Sequence, residues 1–119
     1  MKYLCLMYFE ETVGSKIPQD VFDKGLAECG AFFETIQRSG HLLGRNVLQQ
    51  THTATTVRVR EGKTFTTDGP FAETKEQLGG YFLIEARDLN EAIQVAARFP
   101  GARYGAIEVR PISEMSQTR

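Results

Sequence analysis

Lys2-Tyr3-Leu4-Cys5-Leu6-Met7-Tyr8 is apolar on both of its alternating sets, with Tyr3, Cys5 and Met7 on one side and Leu4, Leu6 and Tyr8 on the other. Successive side chains of a strand point to opposite faces of a sheet, so this segment predicts a strand covered on both faces. The Tyr81-Phe82-Leu83-Ile84 run, inside an expected strand from Gly80 to Ala86, repeats the pattern. Helices can cover one face of such a sheet, and the other face needs a different cover.

The rest of the chain supplies the helices. Pro18 suits the first turn of a helix running to about Ser39, with Gly40 as its stop. Val21 or Phe22, Leu26, Cys29, Phe32 or Phe33 and Ile36 recur at helical spacing and predict its buried stripe. Gly25 and Gly30 weaken that helix and suggest close packing against it. His41 to Leu48 predicts a second strand and Thr53 to Arg60 a third. Glu61-Gly62 predicts a hairpin turn into Lys63 to Thr67. Asp88 is positioned to cap a helix from Leu89 to Phe99 whose Leu89, Ala92, Ile93, Ala96 and Ala97 face inward, and Ala106 to Arg110 closes the series.

This order is the split βαβ plan of a ferredoxin-like α+β fold with an inserted β-hairpin. Two helices cover only one face, so the other is expected to meet a second copy, sheet against sheet, in a symmetric homodimer. Residues 1–112 form one domain in this reading, and 113–119 a flexible tail.

Composition narrows the function classes. A chain of 119 residues hides roughly 65% of its unfolded surface on folding, enough for one core. Apolar residues make up 41% and charged residues 24%, ordinary globular values. A formal charge of -1 with scattered Lys and Arg argues against nucleic-acid binding. The apolar run at the start is short, lacks a small-residue cleavage site and ends in Glu10-Glu11, so neither an export signal nor a membrane span is read there. Cys5 and Cys29 lack metal-ligand spacing and are expected to be reduced thiols, which gives a cytoplasmic location as the default. No phosphate-binding glycine loop, nucleophile elbow or zinc spacing is present, and neither a metal nor a cofactor is expected.

Function is sought instead in Thr67-Asp68-Gly69-Pro70-Phe71-Ala72-Glu73-Thr74-Lys75-Glu76-Gln77-Leu78-Gly79-Gly80, which holds a tight turn, acids, a lysine and a double glycine. Asp-Gly-Pro has the chemistry of a turn, and that alone can explain it. An exposed Asp68 carboxylate can also meet a ligand. Phe71, just after the turn, fits the edge of a core. Glu73 to Leu78 is compact enough for one helical turn, with Glu73 and Gln77 at i, i+4. It reads either as a solvated charged turn or as a site for a small anionic or polar molecule. Gly79-Gly80 at a strand start suggests close approach of another backbone or of a ligand, and a bulge would explain the pair equally well. Asp68, Glu73 and Lys75 are therefore the candidate catalytic groups, and Gly69, Phe71, Thr74, Gly80, Tyr81 and His41 the candidate ligand contacts. His41 enters through its near-neutral pKa, set against a structural role at a helix C-terminus.

Met1 to Tyr8, Thr53 to Arg60, Thr67 to Gly80 and Ile107 to Pro111 together resemble the YCII-related family, and Asp68-Gly69-Pro70-Phe71 resembles its DGPF group. The resemblance spans nearly the whole chain. It implies a dimeric α+β barrel similar in plan to muconolactone isomerases and small antibiotic-biosynthesis monooxygenases, without implying their chemistry. A His and Asp pair is proposed as catalytic in the wider family, but His41 stands in no matching motif. The DGPF group is often encoded beside extracytoplasmic-function sigma factors, which implies a possible sigma-factor-linked, regulatory or stress-related role. Two functions follow from these readings. One is a small-molecule-binding dimer. The other is a cofactor-independent lyase, isomerase or oxygenase in which Asp68 or Glu73 acts as acid or base, Lys75 stabilises charge, and Tyr81 or His41 relays a proton.

Overall fold

The computed structural model describes residues 1–114; the expected tail, 113–119, therefore lies mostly outside the described residues. Strand β1 (Lys2–Phe9) leads through a short helix α1 (Glu11–Gly14) into the long helix α2 (Gln19–Arg38), followed by β2 (Leu42–Val47). A hairpin of β3 (Thr55–Arg60) and β4 (Lys63–Asp68) comes next, then β5 (Gln77–Glu85), helix α3 (Leu89–Ala97) and β6 (Ala106–Pro111). The main sheet has the order β2-β5-β1-β6, and β3 and β4 form a separate two-stranded sheet. Every pairing is antiparallel. Each half of the main sheet is a strand-helix-strand unit whose helix crosses one intervening strand, so the expected ferredoxin-like α+β plan with a hairpin insertion is the fold observed.

The register sorts the side chains by face. Tyr3 lies opposite Ile84, Cys5 opposite Phe82 and Val109, and Met7 opposite Gly80 and Ile107. These residues make the inner face, and Tyr3, Cys5, Met7, Phe82 and Ile84 are all buried. They pack on Phe32, Phe33 and Ile36 of α2 and on Ala92, Val95 and Ala96 of α3. Phe32, Phe33, Phe82 and Phe99 form one aromatic cluster with ring centroids 5.2–5.8 Å apart, and three of its pairs involving Phe32 are edge-on. Edge-to-face contacts place a positive ring edge on a negative ring face. The Arg45 guanidinium lies 4.3 Å from the centre of the Phe33 ring and closes one end of the cluster.

The helix ends follow their sequence signals. Pro18 precedes the first turn of α2, and Gly40 ends the helix with φ of 82°, a conformation that costs glycine no Cβ clash. Asp88 accepts the Glu91 N–H at 2.9 Å, while the Glu91 carboxylate reaches back to the Arg87 N–H at 2.9 Å, so both ends of the first turn are satisfied. Glu61 and Gly62, both at positive φ, make the expected hairpin turn.

Several expectations about burial require correction. The stripe of α2 is buried only in its second half, at Phe32, Phe33 and Ile36; Val21, Phe22 and Leu26 are exposed because no other element of the described chain packs over them. On α3 the inward residues are Ala92, Val95 and Ala96, whereas Leu89, Ile93 and Ala97 face solvent. Gly25 and Gly30 meet nothing within 4 Å of an added Cβ, so close packing does not explain them.

Candidate functional site

Turn chemistry dominates Asp68-Gly69-Pro70. Asp68 ends β4 opposite Thr55, and Gly69 has φ of 104°, which L side chains rarely adopt. The Gly69 N–H donates to the Ala54 carbonyl at 2.7 Å, and the Gly69 carbonyl accepts from Thr56 Oγ1 at 2.9 Å. These two bonds lock the base of the hairpin. Asp68 is left exposed beside them, and Phe71 is 79% exposed, so in the single chain it plugs no core edge. The reason is that the chain leaves β4 away from the main sheet and re-enters it only at Gln77.

The stretch 71–76 forms no helical turn. Its shape is set by Gln77, whose Nε2 donates to the Thr74 carbonyl at 2.5 Å and the Lys75 carbonyl at 3.3 Å, while its Oε1 accepts the Glu11 N–H at 2.9 Å. Thr74 Oγ1 donates to the Glu76 carbonyl at 2.6 Å. Glu11 then ties in the other root of the hairpin, because its two carboxylate oxygens accept from the Thr51 N–H and Oγ1, each at 2.9 Å. Lys75 is exposed, with Nζ 3.9 Å from Glu10, and Glu73 is exposed. Such solvated pairs contribute little to stability.

The double glycine has a packing cause. A Cβ on Gly80 would stand 2.5 Å from Met7 Cε and 2.8 Å from the Asn46 carbonyl, and one on Gly79 would stand 3.2 Å from the Phe9 ring. Gly79 is skipped in the pairing with β1, where Met7 lies opposite Gly80 and Tyr8 opposite Leu78. Of the readings open from sequence, a bulge at Gly79 and close packing on Met7 and the Asn46 carbonyl at Gly80 account for the pair.

Tyr81 points the other way. It pairs with Leu6 and Asn46 on the outer face, and its hydroxyl accepts from Asn46 Nδ2 at 2.9 Å. Leu4 lies opposite Leu83 on the same face, and the Tyr8 hydroxyl donates to Glu108 Oε1 at 3.4 Å; Glu108 in turn pairs with Arg110. Leu4, Leu6, Tyr8, Tyr81 and Leu83 are all partly exposed. The outer face is thus an apolar strip with hydroxyl, amide, carboxylate and guanidinium groups along its margins.

His41 is not brought to the Asp68–Lys75 segment. Its carbonyl accepts the Glu85 N–H at 2.8 Å, at the far end of β5 from Gln77, about 27 Å away at ~3.4 Å per residue. Its ring bridges elements: Nδ1 lies 2.7 Å from Ser39 Oγ and Nε2 3.4 Å from Glu91 Oε1. The Arg87 N–H and guanidinium, with His41, hold the Glu91 carboxyl below its ordinary range, and the Glu91 N–H does the same for Asp88. A shallow depression of about 320 Å³ beside them is lined by His41, Glu91, Gln94, Val95 and Arg98. A second, of about 230 Å³, lies between α3 and β6 over Ile93, Ala96, Ile107 and Val109.

Burial pushes the Cys5 thiol up to about 12, and burial together with the Glu28 carboxylate raises that of Cys29, so both are protonated at neutral pH. Among the described residues no three His, Cys, Asp or Glu side chains gather at metal-binding range, and no helix is long and apolar enough to cross a membrane.

Sequence reasoning missed Glu11 and its ties to Thr51 and Gln77, which shape the segment. Their partners are 40 and 66 residues apart, so no local spacing carries the signal.

The fold and this arrangement define a small ferredoxin-like α+β protein with a signature loop at the root of an inserted hairpin. Residues 1–116 match the YCII-related domain, and the chain belongs to that family. It is also 36% identical over 115 residues to an uncharacterized protein of Rhizobium meliloti (strain 1021), covering 95% of this chain and 93% of that one.

Proposed function

We propose that the protein is a small-molecule-binding homodimer whose two copies meet through their outer sheet faces, with the pocket between that face and the Asp68–Gly80 segment. The observation that carries this reading is the uncovered strip of Leu4, Leu6, Tyr8, Tyr81 and Leu83 beside the fixed polar groups of Asn46 and Glu108. Ligand sites are mostly apolar walls with a few positioned polar groups, and this face has that composition. α2 and α3 pack on the opposite side, and among the described residues no element is seen to cover it.

Binding is favoured over acid-base catalysis because Asp68 and Glu73 are exposed, whereas a carboxyl acting as general acid or base is tuned by burial or by a close charge. Their charges, with that of Lys75, instead suit the rim of a pocket that admits a small polar or anionic molecule. A sensory or regulatory role is the use of such a pocket that the resemblance to the DGPF group, often encoded beside sigma factors, favours.

A thermal-shift screen of small polar and anionic compounds tests the proposal, run on the wild type and on an Asp68→Asn, Lys75→Ala double variant. A compound that raises the melting temperature of the wild type and not of the variant supports it. Equal shifts in both proteins would remove the signature segment from the site.

A further inference from the structure

Among the described residues the β3–β4 hairpin packs mainly on itself, with at most weak contacts to any other element. It nonetheless exposes large apolar side chains: Val57 and Val59 lie on one face, at 59% and 57% exposure, opposite Thr66 and Thr64, and Phe65 lies on the other, at 52%, opposite Arg58. An isolated two-stranded hairpin is at best marginally stable in water, so a hairpin of this composition requires a surface to lie on.

The hairpin is also aimed. Glu11 clamps Thr51 at one root, and Gly69 bonded to Ala54 and Thr56 closes the other. The Leu48 N–H donates to the Gly79 carbonyl at 2.9 Å and fixes the strand leaving the sheet to the strand entering it. The chain is consequently broad and thin, 48 × 46 × 19 Å. Its radius of gyration is 16.5 Å, against about 13.5 Å for a compact domain of this length.

Area identifies the occupant. Four strands at about 4.8 Å spacing over six residues at about 3.4 Å give an outer face of about 400 Å² in projection. A stable interface hides about 800 Å² on each partner. Two strands of six residues offer about 200 Å² per hairpin face by the same spacings. If each copy both extends a hairpin and receives one, the hidden area on each copy rises to about the standard 800 Å².

We infer that the β3–β4 hairpin is an exchanged arm: it lies along the second copy at the margin of that copy's outer sheet face. It carries the Asp68–Phe71 turn with it, so that each pocket is walled by the sheet of one chain and the signature turn of the other. This rests on the sheet-to-sheet pairing proposed above. It adds that the candidate site is incomplete without the partner, and it gives the exposed Phe71 an apolar surface to meet.

The chain has no tryptophan, so Phe65→Trp provides a reporter on the arm alone. Its emission is followed on dilution from micromolar to nanomolar protein, beside a parallel measurement of the dimer fraction. An exchanged arm gives blue-shifted emission that moves to the red with the same midpoint as dissociation. The Val57→Asp, Val59→Asp double variant, checked by circular dichroism for an intact fold, then weakens the dimer by about tenfold or more. Emission independent of concentration, with the dimer constant unchanged in the double variant, overturns the exchanged arm and leaves sheet-to-sheet pairing in place. A wild type that stays monomeric throughout overturns both.

Discussion

β5 runs between β1 and β2 with Phe82 and Ile84 fully buried, while β3 and β4 hold Val57, Val59 and Phe65 more than half exposed. Both regions are β-strand sequence rich in β-branched and aromatic residues. They differ in what lies on their faces. The inner face of β5 meets two helices within the same chain, so its energetics are complete in one copy. The hairpin and the outer face of the same sheet have no such partner, and a strand pattern alone does not record whether the covering surface belongs to its own chain or to another.

The comparison is broken most directly by removing a ring from the covered side. Phe82→Ala deletes a side chain that touches Phe32, Phe33 and Phe99, and the expected loss is about 3–5 kcal/mol in urea unfolding. Val57→Ala on the hairpin, studied where the protein is monomeric, is expected to change stability by about 0.5 kcal/mol or less. Comparable losses at the two sites would contradict the contrast.

Gly80→Ala probes where β1, β2 and β5 converge. The added methyl meets Met7 and the Asn46 carbonyl, and a loss of about 1–3 kcal/mol is expected from overpacking, read as a fall in the melting temperature. A neutral result would return Gly80 to the list of residues kept free for a ligand.

Glu11→Ala cuts the tie between the main sheet and the hairpin root. Global stability is expected to fall by about 1 kcal/mol, since the bonds to Thr51 are only partly buried. Amide exchange is expected to speed up over residues 48–54 with the core unchanged, which would show that the hairpin is aimed by this contact.

The smallest effect belongs to the His41–Glu91–Arg87 bridge. A carboxyl whose folded pKa is depressed contributes stability above its unfolded value, near 4.5 for Glu91, and that contribution is lost as pH falls through the lower folded value. Melting curves of the wild type and Glu91→Gln are therefore expected to differ at pH 6 to 7 and to converge once the pH has fallen below the lowered folded value. A difference that persists in acid would assign the loss to packing.

Much of the fold was legible because its signals are local. Pro18 and Gly40 bracket α2, Asp88 caps α3, Glu61-Gly62 turns the hairpin, and the double-sided apolar pattern of β1 identifies a central strand. Burial was less legible where it depends on how far one element reaches over another. Val21, Phe22 and Leu26 continue the helical stripe perfectly well, yet all three are exposed. Phe71 was read as a core plug because apolar residues beside turns often are, yet it is 79% exposed because the chain leaves β4 away from the main sheet. The candidate site was legible as a segment but not as an assembly. Thr74, Lys75 and Gln77 were in view, whereas the ties from Glu11 to Thr51 and Gln77 span distances in sequence that no motif encodes.

The outer sheet face is the feature on which the functional reading turns, and its pairing is measured by sedimentation equilibrium at micromolar concentration. The account predicts a species of twice the 13.4 kDa chain mass, dissociated by Leu6→Arg on the outer face. A wild-type protein that sediments as a 13.4 kDa monomer at that concentration would contradict it.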